Sequence, residues 1–121
     1  VVGTLKIQPI TFQSGSEELN LQGKEDLDQV AHIIKQYPNF RFVVKGHSGL
    51  SGDQEANKLL SRERAESVVR YLNIIHTIDL NRMHAVGIGS REPLARQMGE
   101  SDRAYNYRLP RVEITFVSEV F

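Results

Sequence analysis

The stretch from Phe42 to Leu72, FVVKGHSGLSGDQEANKLLSRERAESVVRYL, leaves few choices to a chain that contains it. It opens with a short apolar run whose β-branched centre reads as a buried strand. The glycine-rich GHSGLSGD that follows reads as a turn, and beyond it the apolar residues take up helical spacing. The stripe Ala65, Val68, Val69 and Leu72 predicts a long amphipathic helix from Asp53 to Leu72, with Asp53 as N-cap or first-turn acid. Asn57, Ser61 and Arg64 fall at i, i+4 and i+7, so they share one face close to the turn. A polar triplet ending in arginine reads there as the wall of a pocket for a small anionic group.

The elements around this stretch follow from the same rules. Thr4 to Phe12 alternates as a strand until the pattern slips at Pro9, which predicts an irregular or edge strand after Ile7. Leu27, Val30, Ala31 and Ile34 repeat at helical spacing within a helix from Leu21 to Tyr37, stopped by Pro38 and Asn39. Phe40 to Lys45 is the strand before the turn, ended by Gly46. Asn73 to Leu80 reads as a linker anchored by Ile74, Ile75 and Ile78, and Arg82 to Ile88 as a third strand closed by Gly89. Residues 90–107 form the longest loop, with one helical turn at Leu94 to Met98. Arg111 to Val117 is the last strand, with Val112, Ile114 and Phe116 on one face. The order β-α-β-α-β-loop-β predicts an α+β, two-layer α/β sandwich with helices on one side of a small sheet. With 121 residues the whole chain, 1–121, is one domain.

Composition removes several classes of function. The 15 basic and 15 acidic residues cancel, whereas a generic nucleic-acid binder needs a basic excess. Phe40, Phe42 and Phe116 are spaced as core residues, not as a stacking platform for bases. The absence of cysteine excludes thiolate metal sites, disulfides and cysteine nucleophiles. His32, His47, His76 and His84 show no metal-ligand spacing; His32 reads as solvated and His84 as a hydrogen-bonded strand residue. No G-x-S-x-G elbow occurs, and the GIGSRE turn at residues 87–92 fails the dinucleotide pattern at its third glycine. An enzyme is a poor reading, and no cofactor is expected. The longest apolar run is Phe42-Val43-Val44, too short to cross a bilayer. The opening VVGTLKI has neither a basic n-region nor a methionine, which reads as a mature protein or an excised domain.

At residues 42–72 the chain resembles the peptidoglycan-binding, OmpA-like C-terminal domain family, which includes Pal and MotB. The resemblance rests on Gly46, His47, Ser48, Gly52, Asn57, Leu60, Ser61, Arg64, Ala65, Val68 and Leu72 at the family's spacing. ITFQSGSEEL (10–19), VGIGSREPLA (86–95) and RVEITF (111–116) extend it along nearly the whole chain. It implies a small mixed sheet and a non-catalytic domain that anchors an envelope protein to the cell wall through diaminopimelate in a peptidoglycan stem peptide. It also implies a periplasmic location associated with the outer membrane, as the C-terminal module of a longer protein. In the family an aspartate takes the diaminopimelate amino group and the arginine of LSxxRA takes its carboxylate, an acceptor for ammonium beside a planar fork. Here the arginine is Arg64, but Gly49 stands at the aspartate position, and Leu109-Pro110 replaces an Asn-Arg pair before Arg111.

The resemblance makes Arg64, Asn57, Ser48, Gly49, Ser61 and Arg111 the candidate ligand-binding residues. His47, Gly52 and Asp53 are the candidate organisers of the loop. Each has a plainer alternative. Arg64 would be an exposed helix arginine paired with Glu55, Glu63 or Glu66, and Arg111 an edge-strand charge that discourages pairing. Asn57 would close the turn by hydrogen bonds. Asp53 would cap the helix, or supply the missing carboxylate. Gly49 and Gly52 would hold positive φ in a tight loop. The alternative function is a degenerate module that has lost peptidoglycan binding and serves protein–protein assembly.

Overall fold

The structure, a computed structural model, describes residues 3, 4, 10, 12 and 15–118. Along Phe40–His47 (β2) Phe42 and Val44 are buried while Arg41, Val43 and Lys45 are less so, the period-2 alternation of a strand with one face on a core. β2 is a central strand. It runs parallel to Met83–Gly89 (β3) on one side and antiparallel to Arg111–Ser118 (β4) on the other. Gly3–Thr4 (β1) pairs antiparallel with β4, which gives, among the described residues, a mixed four-stranded sheet in the order β1-β4-β2-β3.

Leu21–Lys35 (α1) and Gln54–His76 (α2) supply the second layer; a third helix, Asp102–Arg108 (α3), precedes β4 and carries no buried residue. α1 starts where the Asn20 side chain accepts the Gly23 amide at 2.7 Å. Its predicted stripe, Leu27, Val30, Ala31 and Ile34, is fully buried. It meets Ala65, Val68 and Leu72 of α2 and Phe42, Val44, Val112 and Ile114 of the sheet in one core. At α2 the Asp53 side chain accepts from the Glu55 amide, so capping is what Asp53 does.

Two glycines set how closely α2 lies on the sheet. Gly46 and Gly87 are paired neighbours on β2 and β3. A Cβ at Gly46 would overlap the Ser61 carbonyl oxygen, and one at Gly87 would lie 2.7 Å from Arg62 Cβ. Gly46 therefore does not end its strand, which continues to His47; it admits the helix backbone.

Three other expectations change. α2 runs one turn past Leu72, so Asn73 to His76 is helix, with Ile74 and Ile75 exposed and only Ile78 buried as an anchor. Its end closes in a Schellman-type pair, with the Thr77 amide donating to Asn73 O and the Ile78 amide to Leu72 O, and with Thr77 at φ 60°. The helical turn expected at Leu94 to Met98 is absent; the helix is α3, capped by Ser101 Oγ accepting from the Ala104 amide. Finally, Arg82 is not in the third strand but in a 3-10 turn, Leu80–Arg82. From there its guanidinium donates to the Ile34, Tyr37 and Phe40 carbonyls and closes the end of α1. Of the early strand expected over Thr4 to Phe12, Ile10 bridges to Val112 and Phe12 to Leu19, while residues 5–9 and 11 lie outside the described residues.

Candidate functional site

The turn between β2 and α2 is held by a backbone hydrogen bond at its start and by side chains that donate to its carbonyls. The Ser48 amide donates to Gly89 O at 2.8 Å, tying the turn to the end of β3, and Ser48 Oγ donates to Gly49 O. Gly52 has φ +94°, so there the expectation of a left-handed glycine holds. At Gly49 it does not. Gly49 is not among the positive-φ residues, and a Cβ built on it meets only Pro110 Cγ, at 3.9 Å. Neither torsion nor space requires glycine at this position.

The polar face of α2 presents its three predicted residues to three different segments. Asn57 Nδ2 donates to Ser51 O at 2.8 Å and closes the turn, the plainer reading of this residue. Ser61 Oγ donates to Lys58 O and accepts from the Gly89 amide at 3.1 Å, which locks the helix to the end of β3. Arg64 reaches the segment before α1, where its Nε donates to Ser16 O at 2.8 Å and its guanidinium lies 5.2 Å from the Phe12 ring centroid. Arg64 is only 5 % exposed, so it is not a solvated helix arginine. Burial pushes its pKa down and Glu17 pulls it back up. It remains a cation at any physiological pH.

Arg111 and His47 form a second polar cluster. They are register partners on β4 and β2, and both are buried. Because Arg111 faces His47 across a ladder, the edge-charge reading of Arg111 falls. Arg111 Nη1 donates to Leu109 O at 2.7 Å and Nη2 to Glu92 O at 3.0 Å, and Nη2 lies 3.0 Å from Glu113 Oε1. His47 Nε2 lies 2.7 Å from the same oxygen, at ion-pair distance but off the line of a hydrogen bond. The proximity of His47, then of Arg111, holds the Glu113 carboxyl below its ordinary pKa against the opposing effect of burial. His47 Nδ1 and Arg111 Nε are buried without a hydrogen-bond partner among the described residues.

Ser48, Gly49, Gly52 and Asp53 thus share one turn, Asn57, Ser61 and Arg64 follow along the helix, and His47 with Arg111 sits at the root of the turn. Sequence reasoning passed over Glu113, whose Oε1 lies 2.7 Å from His47 Nε2 and 3.0 Å from Arg111 Nη2. Its strand period was the available signal, because Glu113 is two residues from Arg111 and shares its face. His84, expected to be hydrogen-bonded, is exposed on β3. It lines a cleft of ≈ 500 Å³ between β3 and the start of α2 that contains none of the predicted site residues. Among the described residues no helix is long and apolar enough to cross a membrane.

The sequence model of the OmpA family matches residues 11–107. The probable lipoprotein YiaD of Escherichia coli K12 is 35% identical over 106 residues, covering 88% of this chain and 47% of that protein. The peptidoglycan-binding protein ArfA of Mycobacterium bovis is 31% identical over 101 residues, 84% of this chain and 31% of that one. The crystal structure of the C-terminal domain of Helicobacter pylori MotB is similar with a TM-score of 0.80 at 25% identity, covering 94% of this chain and 87% of that one. The chain spans less than half the length of these two curated relatives.

Proposed function

The chain belongs to the OmpA family, and from that premise we propose that it is a non-catalytic peptidoglycan-binding domain. It anchors a longer envelope protein, of which residues 1–121 are the C-terminal module, to the cell wall from the periplasmic side of the outer membrane. The ligand group is a stem-peptide carboxylate, that of diaminopimelate, received by Arg64 and by backbone amides of the 47–52 turn other than that of Ser48, which Gly89 O holds. The observation that carries this reading is Arg64: a buried cation on the turn-side face of α2, oriented by Ser16 and Phe12. A guanidinium fixed in this way loses little freedom on taking a carboxylate. The relative ArfA, a peptidoglycan-binding protein, supports the choice of polymer.

Gly49 favours a second reading, a module that keeps the fold but has given up the polymer for a protein partner. The resemblance puts the acceptor for the ligand's ammonium there, and the position is empty although a side chain fits. A hydrogen bond to a charged group contributes about 1.5–3 kcal/mol, so its loss weakens binding roughly ten- to a hundredfold.

Cosedimentation with diaminopimelate-type sacculi separates the two readings. The anchoring reading expects the parent to pellet, a folded Arg64→Lys to pellet roughly tenfold less, and Gly49→Asp to pellet more. If a folded Arg64→Lys pellets like the parent, the arginine is not the ligand group. If the parent stays in solution and Gly49→Asp pellets, the second reading holds.

A further inference from the structure

The two edges of the sheet are unlike. On one side the sheet ends in β1, described over only two residues. On the other it ends in β3, seven residues long, Met83-His84-Ala85-Val86-Gly87-Ile88-Gly89. A terminal strand presents the N–H and C=O groups of alternate residues to whatever lies beside it, and edges are commonly blunted with lysine, proline or a covering element. β3 contains neither lysine nor proline nor a carboxylate. No other described strand pairs with its outer edge. Beside it lies the cleft of ≈ 500 Å³, with Lys58, Leu59 and Arg62 of α2 on one wall, residues 84–87 on the other, and Arg91 at one end.

The walls define what fits. The lining carries three cations, Lys58, Arg62 and Arg91, against one carboxylate, Glu55, in a chain whose formal charge is zero. Arg62 is paired with Glu66 at 3.2 Å, and Arg91 Nε donates to Ile88 O, while Lys58 has no ion-pair partner among the described residues. Leu59 is 59 % exposed and offers an apolar contact. An open edge takes an extended chain, and the cations select an acidic one. A second copy of this chain is disfavoured, because edge-to-edge pairing of β3 with β3 brings the two sets of cations toward each other.

We propose that the free edge of β3 is a docking site for an extended, acid-bearing peptide segment of a partner protein, which adds as a fifth strand with its carboxylates toward Lys58, Arg62 and Arg91. The inference rests on the edge and its cleft, and stands whether or not Arg64 binds peptidoglycan.

The test uses the full chain with a fluorescent, acetylated six-residue Glu-Val repeat, read by anisotropy and by backbone amide exchange. Saturable binding is expected, with protection gained at residues 84–88. The Lys58→Glu/Arg91→Glu double variant changes two exposed side chains and is expected to bind at least tenfold more weakly with an unchanged melting curve. Two further peptides, N-methylated on alternate residues in opposite phase, separate strand addition from side-chain adhesion. The phase whose amides face β3 loses binding and the other keeps it. The proposal is overturned by absence of saturable binding, by protection gained elsewhere, or by equal loss with both methylated peptides. It is overturned equally if the parent self-associates in sedimentation and protects residues 84–88 without peptide, since the occupant is then a second copy.

Discussion

Gly46 and Gly49 stand three residues apart at the end of β2, and their surroundings are opposite. At Gly46 the backbone of α2 occupies the place a methyl group would take, with Ser61 O inside any acceptable contact. At Gly49 the nearest atom to a built Cβ is Pro110 Cγ, at ordinary van der Waals distance, and φ is not in the left-handed region. The first glycine is demanded by packing, because without it the helix that carries Asn57, Ser61 and Arg64 stands off the sheet. The second is demanded by nothing in the fold. Within one turn, then, the positions that shape the candidate site and the position the fold leaves free to vary are separate.

That comparison breaks most easily at Gly46. Gly46→Ala forces α2 away from β2 and is expected to cost about 3 kcal/mol or more, the upper range for overpacking. In thermal denaturation this is a fall on the order of 10 °C. A melting point near the parent's would mean that the helix yields freely and the contrast is empty. Gly87→Ala tests the neighbouring contact, where Arg62 Cβ must give way; an intermediate loss of about 1–2 kcal/mol is expected by the same measurement. Gly52→Ala isolates torsion from space, since φ is +94° and the nearest atom, on Asn57, is 3.8 Å from the built Cβ. Urea titration should give a loss of about 1 kcal/mol.

His47 sits between the two glycines and leads to Glu113. Glu113 titrates below its ordinary pKa in the folded protein, so its contribution is complete above the unfolded value, near 4.5, and is lost as pH falls through the folded value. Glu113→Gln should therefore lower stability by about 1 kcal/mol at neutral pH, a figure kept small because the carboxylate is partly solvated. The gap in melting temperature between parent and variant should close as the pH falls from the unfolded value, 4.5, through the lower folded one. A gap that widens in acid would refute the assignment. The smallest effect is expected at Gly49→Asp, within about 0.5 kcal/mol of the parent, because the side chain enters open space.

What could be read from the chain beforehand was what local pattern encodes. The stripe of α1, the Asp53 cap and the β2–turn–α2 succession depend on residues within a few positions of each other, and the structure keeps them. The end of α2 was hidden because its cap residue is Thr77, not glycine, and because Ile74 and Ile75 are apolar yet face solvent. α3 was misplaced because the segment before it is held out of helix by later residues. Tyr105 Oη donates to Leu94 O and Arg108 Nη2 to Ala95 O. The turn residues of the candidate site were legible as a motif. The surroundings of Arg64 and Arg111 were not, since the first depends on Ser16 and the second on Glu92, far away along the chain. Nor did the strand pattern disclose that β3 is terminal.

The division of labour along α2 has a consequence in time. Asn57 closes a loop of six residues, Ser61 reaches 28 residues onward, and Arg64 reaches back 48. Contacts of such unequal separation do not arise together, because closing a longer loop costs more chain entropy and waits on the rest of the fold. Loop-closure entropy therefore predicts that the turn forms with its own helix and that the environment of Arg64 is assembled only when the segment carrying Ser16 docks. A partly opened molecule that keeps α2 whole would still lack the surroundings of Arg64.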